Sequence, residues 1–347
     1  MGIKRLFLLH ILFFVFFFFE LHSLLVDLEK DRQDFVIETK KIEIPGFPFA
    51  FNVGITKWNN CNLMSFRDIP NPKKSFESNL GLVIVDDDFF PISKPQLIEL
   101  RFESMIPCRA EDARLIVVGE KLYMVYSDNG EPAISKGGFR VYLCEILYLD
   151  GHFYAENIRC LLDFDGENRN IREKNWVPFE YEENLFLAYS ILPHRILKPL
   201  LETNICETIC STLSKISWKW GDLRGGTPAL PINQESYLSF FHSSIPMTTV
   251  HSKGKNISHY FIGAYLFSRI PPFTITHVSQ TPIIGKNFYH GEMYKPYWKE
   301  ICAVFPCGFI QDDQYIWIVY GRQDHEAWVA KLDKEQFLNS LVSVEKE

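Results

Sequence analysis

No run of lysine or arginine occurs in this chain, and 36 basic against 43 acidic side chains leave a net charge of −7. That balance speaks against a nucleic-acid-binding face. Sustained helical periodicity is equally scarce. It reaches a usable pattern only in the tail, over 334–342, and more weakly over 200–211, which argues against an all-α architecture. Intrinsic disorder is excluded from the opposite direction: 30 Phe and 15 Tyr within 347 residues could not be left in water. A chain of this length and ordinary hydrophobic content can bury one large core or two modest ones.

One long apolar run exists. It extends from Leu6 to Phe19, is interrupted only by His10, follows Lys4 and Arg5, and stops at Glu20. A basic start followed by an apolar stretch of this length has the layout of a signal peptide, and it is short of the roughly 20 residues of a membrane span. No small-x-small cleavage site follows in Leu21-His22-Ser23-Leu24-Leu25, so residues 1–26 read as a signal peptide or an uncleaved signal anchor. Either reading sends the chain into the secretory route, secreted or membrane-associated through residues 6–19, with residues 27–347 as one domain on the non-cytoplasmic side.

The eight cysteines suit an oxidising compartment or a set of small buried apolar residues. Cys206 with Cys210, and Cys302 with Cys307, are the local pairs. No second tight Cys/His pair with ligand spacing accompanies either, so no metal site is expected. Asn256-Ile257-Ser258 is a glycosylation sequon.

What the chain does contain is an internal repeat. An apolar strand, a polar turn and a second strand ending in an aromatic plus a small or charged residue recur five times. The copies run 51–55 to 63–67, 113–117 to 122–127, 176–179 to 185–190, 227–230 to 237–242 and 305–310 to 315–321. Turns such as Val118-Gly119-Glu120-Lys121 and Gln311-Asp312-Asp313-Gln314 make each copy a β-hairpin. Outer strands fit between them, for example over 139–146. Hairpins this far apart suit radial blades better than the adjacent strands of a sandwich. The fold expected is therefore all-β, a five-bladed β-propeller with an N-terminal hydrophobic leader and a short C-terminal helix at 334–342. A β-sandwich plus a second domain is the alternative.

In a propeller, residues at the same phase of each copy meet around one axial pocket. Here that phase carries Asn52 and Arg67, Glu111-Asp112-Ala113-Arg114, Lys174-Asn175, Arg224-Gly225-Gly226 with His242, and Arg322 with Asp324. Polar groups entering apolar strands need partners. One way to supply them is local pairing, Asp112 with Arg114 and Asp324 with Arg322. The other is a ligand. Carboxylate, Asn and Arg groups read sugar hydroxyls, and a carboxylic acid beside the leaving oxygen breaks a glycosidic bond. If phosphate is the nucleophile, cations replace the second carboxylate that a hydrolase uses to activate water. Lys174, Arg224 and His242 are those candidates, and Gly225 and Gly226 allow close approach of an anion.

At these residues the chain resembles the β-mannoside phosphorylases and related five-bladed propellers of glycoside hydrolase family 130. The resemblance covers most of residues 45–332. It rests on Phe51-Asn52 with Ser65-Phe66-Arg67, Glu111-Asp112-Ala113-Arg114 (Glu-Asp-Pro-Arg in the family), Lys174-Asn175-Trp176-Val177-Pro178-Phe179, Gly225-Gly226-Thr227-Pro228, and Phe241-His242-Ser243 (Gly third in the family). Gly263-Ala264-Tyr265-Leu266, Val304-Phe305-Pro306-Cys307-Gly308, and Tyr320-Gly321 with Asp324 complete it. The resemblance implies an inverting glycoside phosphorylase, or a phosphate-dependent glycosyltransferase, acting on β-mannosides. It implies Asp112 as general acid, Asn52, Arg67 and Asp324 on the sugar, and Lys174 and His242 facing phosphate. Glu111, Arg114, Asn175 and Arg224 complete the substrate-binding set. Inorganic phosphate or a sugar phosphate would be co-substrate, with no cofactor. A hydrolase of the same fold and a non-catalytic sugar-binding propeller are the alternatives.

Overall fold

The innermost strands of the structure are buried along both faces. Phe51–Trp58 and Glu111–Val118 are covered over nearly their whole length, so their burial does not alternate along the strand. The outer strand His152–Cys160 keeps the period-two alternation of an edge with one wet face. This computed structural model describes residues 25–71, 77–100, 108–129, 138–165, 172–293 and 299–346.

Five sheets make five blades. From inner to outer, blade 1 is Phe51–Trp58, Cys61–Asp68, Asn79–Val85 and Gln96–Leu97, and blade 2 is Glu111–Val118, Lys121–Asp128, Arg140–Leu149 and His152–Cys160. Blade 3 is Val177–Tyr181, Asn184–Ser190, His194–Leu200 and Ile205–Thr212, with Leu162–Phe164 added in parallel at its rim. In blade 4 the inner edge is broken into Arg224–Gly225 and Leu230–Pro231. Both pair with the 13-residue strand Ser236–Thr248, which is followed by Asn256–Ser268 and Ile275–Ser279. Blade 5 is Val304–Gln311, Tyr315–Arg322 and Glu326–Asp333, and its fourth strand comes from the other end of the chain: Val36–Ile42 pairs antiparallel with Glu326–Asp333. The ring is thereby closed by its own two ends.

What holds the blades in a ring is apolar packing at five successive interfaces. Leu63, Leu80 and Leu82 meet Ala113, Leu115 and Met124 between blades 1 and 2. Ile116 and Val125 meet Leu187 and Leu197 between blades 2 and 3, and Phe179 and Phe186 meet Tyr237 and Phe241 between blades 3 and 4. Phe240 and Phe261 meet Phe309 and Tyr320 between blades 4 and 5, and Ile310 and Val319 meet Val53 and Ile55 back at blade 1. Each fully buried side chain of this size contributes about 1.5–3 kcal/mol. The pattern is that of a five-bladed propeller, not of a sandwich.

Three expectations are corrected in detail. The weak helical pattern over 200–211 forms the strand Ile205–Thr212, because β-branched Ile205, Thr208 and Thr212 find a ladder on His194–Leu200. The terminal helix is shorter than the 334–342 pattern. It spans Lys334–Asn339, with the Asp333 carboxylate accepting from the Gln336 N–H at 2.9 Å, and Leu341–Ser343 then leaves it to extend blade 4. Cys206 and Cys210 share one strand four residues apart, about 13 Å and beyond disulfide reach. Cys302 and Cys307 are not bridged either, and the Cys302 thiol lies 3.6 Å from Met293 Sδ. Val26 bridges Thr249, and its carbonyl accepts from Val250 N–H at 3.0 Å. The apolar run 6–19 lies outside the described residues. Among the described residues no helix is long and apolar enough to cross a membrane. Asn256 of the sequon is exposed, at the start of its strand.

Candidate active site

The entry of the first two inner strands sets the site. In each, the hydrogen-bond register slips just after the first residue, between Phe51 and Gly54 and between Glu111 and Arg114. The residues displaced into these bulges, Asn52 and Asp112, have φ of 47° and 58°. Asn and Asp are the non-glycine side chains that tolerate this region best, and a bulge re-aims a side chain out of the strand's alternation. Both therefore turn toward the axis, and Asn52 Nδ2 donates to Asp112 Oδ1 at 2.8 Å. Asn175 and Asp324 have the same backbone, with φ of 64° and 56°.

A cavity of about 680 Å³ opens where these residues meet. It is lined by Asn52, Arg67, Glu111, Asp112, Lys174, Asn175, Arg224, His242 and Asp324, which is every site residue expected from the sequence except Arg114. Arg114 lies behind the wall at 1% exposure. Its Nε donates to the Gly226 carbonyl, its NH1 to the main-chain oxygen of Asp112 at 2.8 Å, and its NH2 to Asn175 Oδ1 at 3.1 Å. Arg114 thus ties blades 2, 3 and 4 together and does not touch the Asp112 carboxylate. Arg322 is likewise engaged elsewhere, at 2.5 Å from Glu326. The local pairing of Asp112 with Arg114 and Asp324 with Arg322 is not how these charges are met.

Arg67 instead links the two acids of blade 2, at 2.9 Å from Glu111 Oε1 and 3.5 Å from Asp112 Oδ1. Burial pulls its pKa down, but Glu111, Asp112 and Asp324 outweigh that and raise it. Glu111 Oε2 in turn accepts from Lys174 Nζ, so Glu111 is clamped between two cations. Asp112 takes its contacts from Asn52 and Arg67 on Oδ1, and neither reaches Oδ2.

His242 departs from its expected role as a resident cation. Burial, then Arg114 and Arg224, lower its pKa to about 3, so the ring is neutral near pH 7. Its Nδ1 lies 2.9 Å from the Gly225 carbonyl and must carry the proton, which makes Nε2 an acceptor. The ring is fixed against Phe305, with centroids 4.5 Å apart, and stacks on Tyr260 at 6.1 Å. Ser243, where the resembling family carries glycine, has a local purpose: its hydroxyl accepts from Trp218 Nε1 at 2.8 Å.

Sequence reasoning missed Arg109, Arg172, Phe139, Tyr189, Tyr260 and Phe305 on the cavity wall. Lys174 Nζ sits 3.5 Å from the Phe139 ring centre, with Arg109 and Arg172 at 5.0 and 5.8 Å. A signal was present: Arg109 stands two residues before Glu111, and Arg172 two before Lys174, which is same-face spacing in an extended chain. With them, five basic side chains (Arg67, Arg109, Arg172, Lys174, Arg224) face three acidic ones (Glu111, Asp112, Asp324). A chain of net charge −7 thus concentrates positive charge in one cleft.

No family profile matches the chain, and no curated protein matches it. Solved structures do. A glycosyl hydrolase from Bacteroides ovatus superposes with a TM-score of 0.58 at 15% identity, over 88% of this chain and 93% of that one. The β-1,2-mannobiose phosphorylase of Listeria innocua, solved with β-1,2-mannobiose, gives 0.55 at 15%, over 90% and 95%. A mannose phosphorylase of Leishmania mexicana, solved with a phosphate ion, gives 0.56 at 9%, over 92% and 94%. This chain has the fold of the mannoside phosphorylases. At these identities the likeness extends to the architecture, and the chemistry rests on the cavity itself.

Proposed function

We propose that this chain is a carbohydrate-active enzyme that uses phosphate to cleave, or a sugar phosphate to build, a β-mannosidic bond with inversion, with Asp112 as general acid. The observation that carries the reading is the surplus of cations in the cavity and the unequal hold on its two neighbouring acids: Glu111 is gripped by both Arg67 and Lys174, whereas Asp112 meets Asn52 and the more distant Arg67 through Oδ1, and neither contact reaches Oδ2. In phosphorolysis a phosphate oxygen attacks the anomeric carbon. The glycosidic C–O bond breaks, and the leaving oxygen takes a proton from Asp112, directly or through a sugar hydroxyl. The products are a sugar 1-phosphate of inverted anomeric configuration and the shortened saccharide. Lys174 and Arg224, with Arg109 and Arg172 at the wall, would hold the phosphate, and neutral His242 would accept from a phosphate O–H through Nε2. Asn52, Arg67, Asn175 and Asp324 supply groups for sugar hydroxyls, and Phe305 and Tyr260 supply apolar faces. The relatives solved with mannobiose and with phosphate are consistent with this reading.

Hydrolysis is the second reading, since a glycosyl hydrolase shares the fold. It requires a carboxylate to activate water; Glu111 is committed to two cations, which leaves Asp324 on the cavity wall as the candidate base. The basic-then-apolar leader supports delivery into the secretory route. Incubating manno-oligosaccharides with and without inorganic phosphate, and following reducing sugar and sugar 1-phosphate separately, tests the assignment. Phosphate-dependent sugar 1-phosphate that disappears in Asp112→Asn is expected. Turnover that ignores phosphate, or survives in Asp112→Asn, overturns it.

A further inference from the structure

Apart from the axial cavity, the segment between Val26 and Gln33 lies against the 249–251 turn of blade 4 and the 284–290 connection from blade 4 to blade 5 before the chain enters the closing strand. It is fastened at both ends: Val26 bridges Thr249, and the Gln33 main chain and side chain both bond to Ile284. Between those points two carboxylates reach inward to two histidines. Asp27 Oδ1 lies 3.0 Å from His251 Nε2, and Glu29 Oε1 lies 2.8 Å from His290 Nδ1. The imidazoles face each other edge to face, with centroids 5.4 Å apart.

The ligand atoms of Glu29, His251 and His290 lie within 4.8 Å of one another. Side-chain exposure is 9% for Glu29 and 5% for His251, whereas His290 is 60% exposed. Glu29 is further oriented by the Asn287 and Tyr289 N–H groups, at 2.9 and 3.0 Å. A carboxylate fixed by backbone donors, beside a buried imidazole and an open one, is the arrangement of a preformed ligand set with one face turned to solvent. A cavity of about 660 Å³ lies against it, with Lys30, Arg32 and Lys253 among its other lining residues. These are exposed and free to swing away from a cation.

We propose that Glu29, His251 and His290, with Asp27 as a fourth ligand, form a zinc-class divalent metal site that staples the N-terminal segment to blades 4 and 5. Two imidazole nitrogens with two carboxylate oxygens suit zinc, whereas calcium and magnesium prefer all-oxygen shells. The ion replaces the hydrogen-bonding proton at His251 Nε2 and His290 Nδ1. Each imidazole binds as the neutral tautomer that carries its proton on the other ring nitrogen, and any second proton is released to water. Contraction of the cluster to ligand distances of about 2.0–2.1 Å draws together chain positions 27, 29, 251 and 290, so the ion acts on the same closure that Val36–Ile42 makes on blade 5.

The test is calorimetric titration of zinc chloride into the metal-stripped full-length chain, with thermal melting alongside. One zinc per chain with a Kd at or below the micromolar range is expected, with Tm rising by several degrees at a hundredfold excess over Kd. His290→Gln, at an exposed position, should leave the metal-free Tm unchanged, weaken zinc at least tenfold and remove the Tm rise. Asp27→Asn should weaken binding less. Absence of stoichiometric binding below 100 µM zinc, roughly the upper edge of a specific site, overturns the proposal. So does binding that is unchanged in His290→Gln, or an equal Tm rise with calcium chloride.

Discussion

Asn52 and Asp112 stand 60 residues apart in sequence and 2.8 Å apart in space, each on the first bulge of its own inner strand and each with a left-handed backbone. One amide thus fixes the orientation of the carboxylate at the centre of the cavity. The same kind of bulge, one in each strand, turns out the acid and the residue that holds it.

Substitutions at Asn52 separate those two contributions. Asn52→Gly keeps the φ of 47° without strain but deletes the donor, whereas Asn52→Ala deletes the donor and imposes the strain. The alanine variant should be about 1 kcal/mol less stable than the glycine variant, the reverse of the usual order. Both should lose phosphorolysis about ten- to a hundredfold through misorientation of Asp112. Denaturant melts paired with kcat check this, and equal stability of the two variants would remove the argument from backbone geometry.

Lys174 is shared between Glu111 and the cavity. Lys174→Met should raise the KM for phosphate roughly ten- to a hundredfold, the worth of a charge-assisted hydrogen bond of about 1.5–3 kcal/mol. The KM for the saccharide should move far less. Initial rates over a matrix of both substrates make the comparison, and a loss confined to the saccharide would move Lys174 to the sugar.

The repeat and the cavity were legible for the same reason. Inner strands buried on both faces leave apolar runs with tight polar turns, and the polar residues that interrupt those runs at a common phase have to converge. The site residue Arg114 was legible as to place but not as to contact, because sequence does not reveal that its guanidinium reaches the Gly226 carbonyl in place of its neighbour's carboxylate. Closure by Val36–Ile42 on Glu326–Asp333 was hidden, since no local pattern encodes a pairing between chain ends. The split inner edge of blade 4 was hidden as well. Gly226 there would place a Cβ 2.4 Å from the Phe240 carbonyl, so the backbone is drawn too close for a regular strand. The cluster of Glu29, His251 and His290 joins three distant segments and leaves no spacing to read.

Two buried histidines give the fold an acid limit. The pKa of His242 is lowered to about 3 by burial, then Arg114 and Arg224, and that of His194 to about 4 by burial, which its bond to the Phe273 carbonyl only partly offsets. The unfolded chain binds protons at these sites below about pH 6.5, and the folded chain does not. Their contribution is therefore intact above pH 6.5 and is lost as pH falls toward 4 and 3, by about 1.4 kcal/mol per pH unit for each group. Between pH 6.5 and 5 the two together should lower the unfolding free energy by up to about 4 kcal/mol. Urea titrations across that range measure it, and His194→Gln should flatten the slope; an unchanged slope would exclude His194 as a source.

Gly321 is required by Asn52 and not by its own strand. A Cβ placed there would lie 1.8 Å from Asn52 Oδ1 and 2.8 Å from the Asn52 main-chain nitrogen, so relief needs the bulge itself to move. Gly321→Ala should cost about 1–3 kcal/mol of stability as an overpacked site. It should also reduce kcat at least tenfold, because displacing Asn52 withdraws the donor from Asp112 Oδ1. Removing the side chain it strikes should relieve part of this. In the Asn52→Gly background, the added cost of Gly321→Ala should shrink by about 1 kcal/mol, a coupling expected of residues in direct contact. A double-mutant cycle read in both stability and kcat measures it, and strict additivity in both would mean that Gly321 does not act through Asn52.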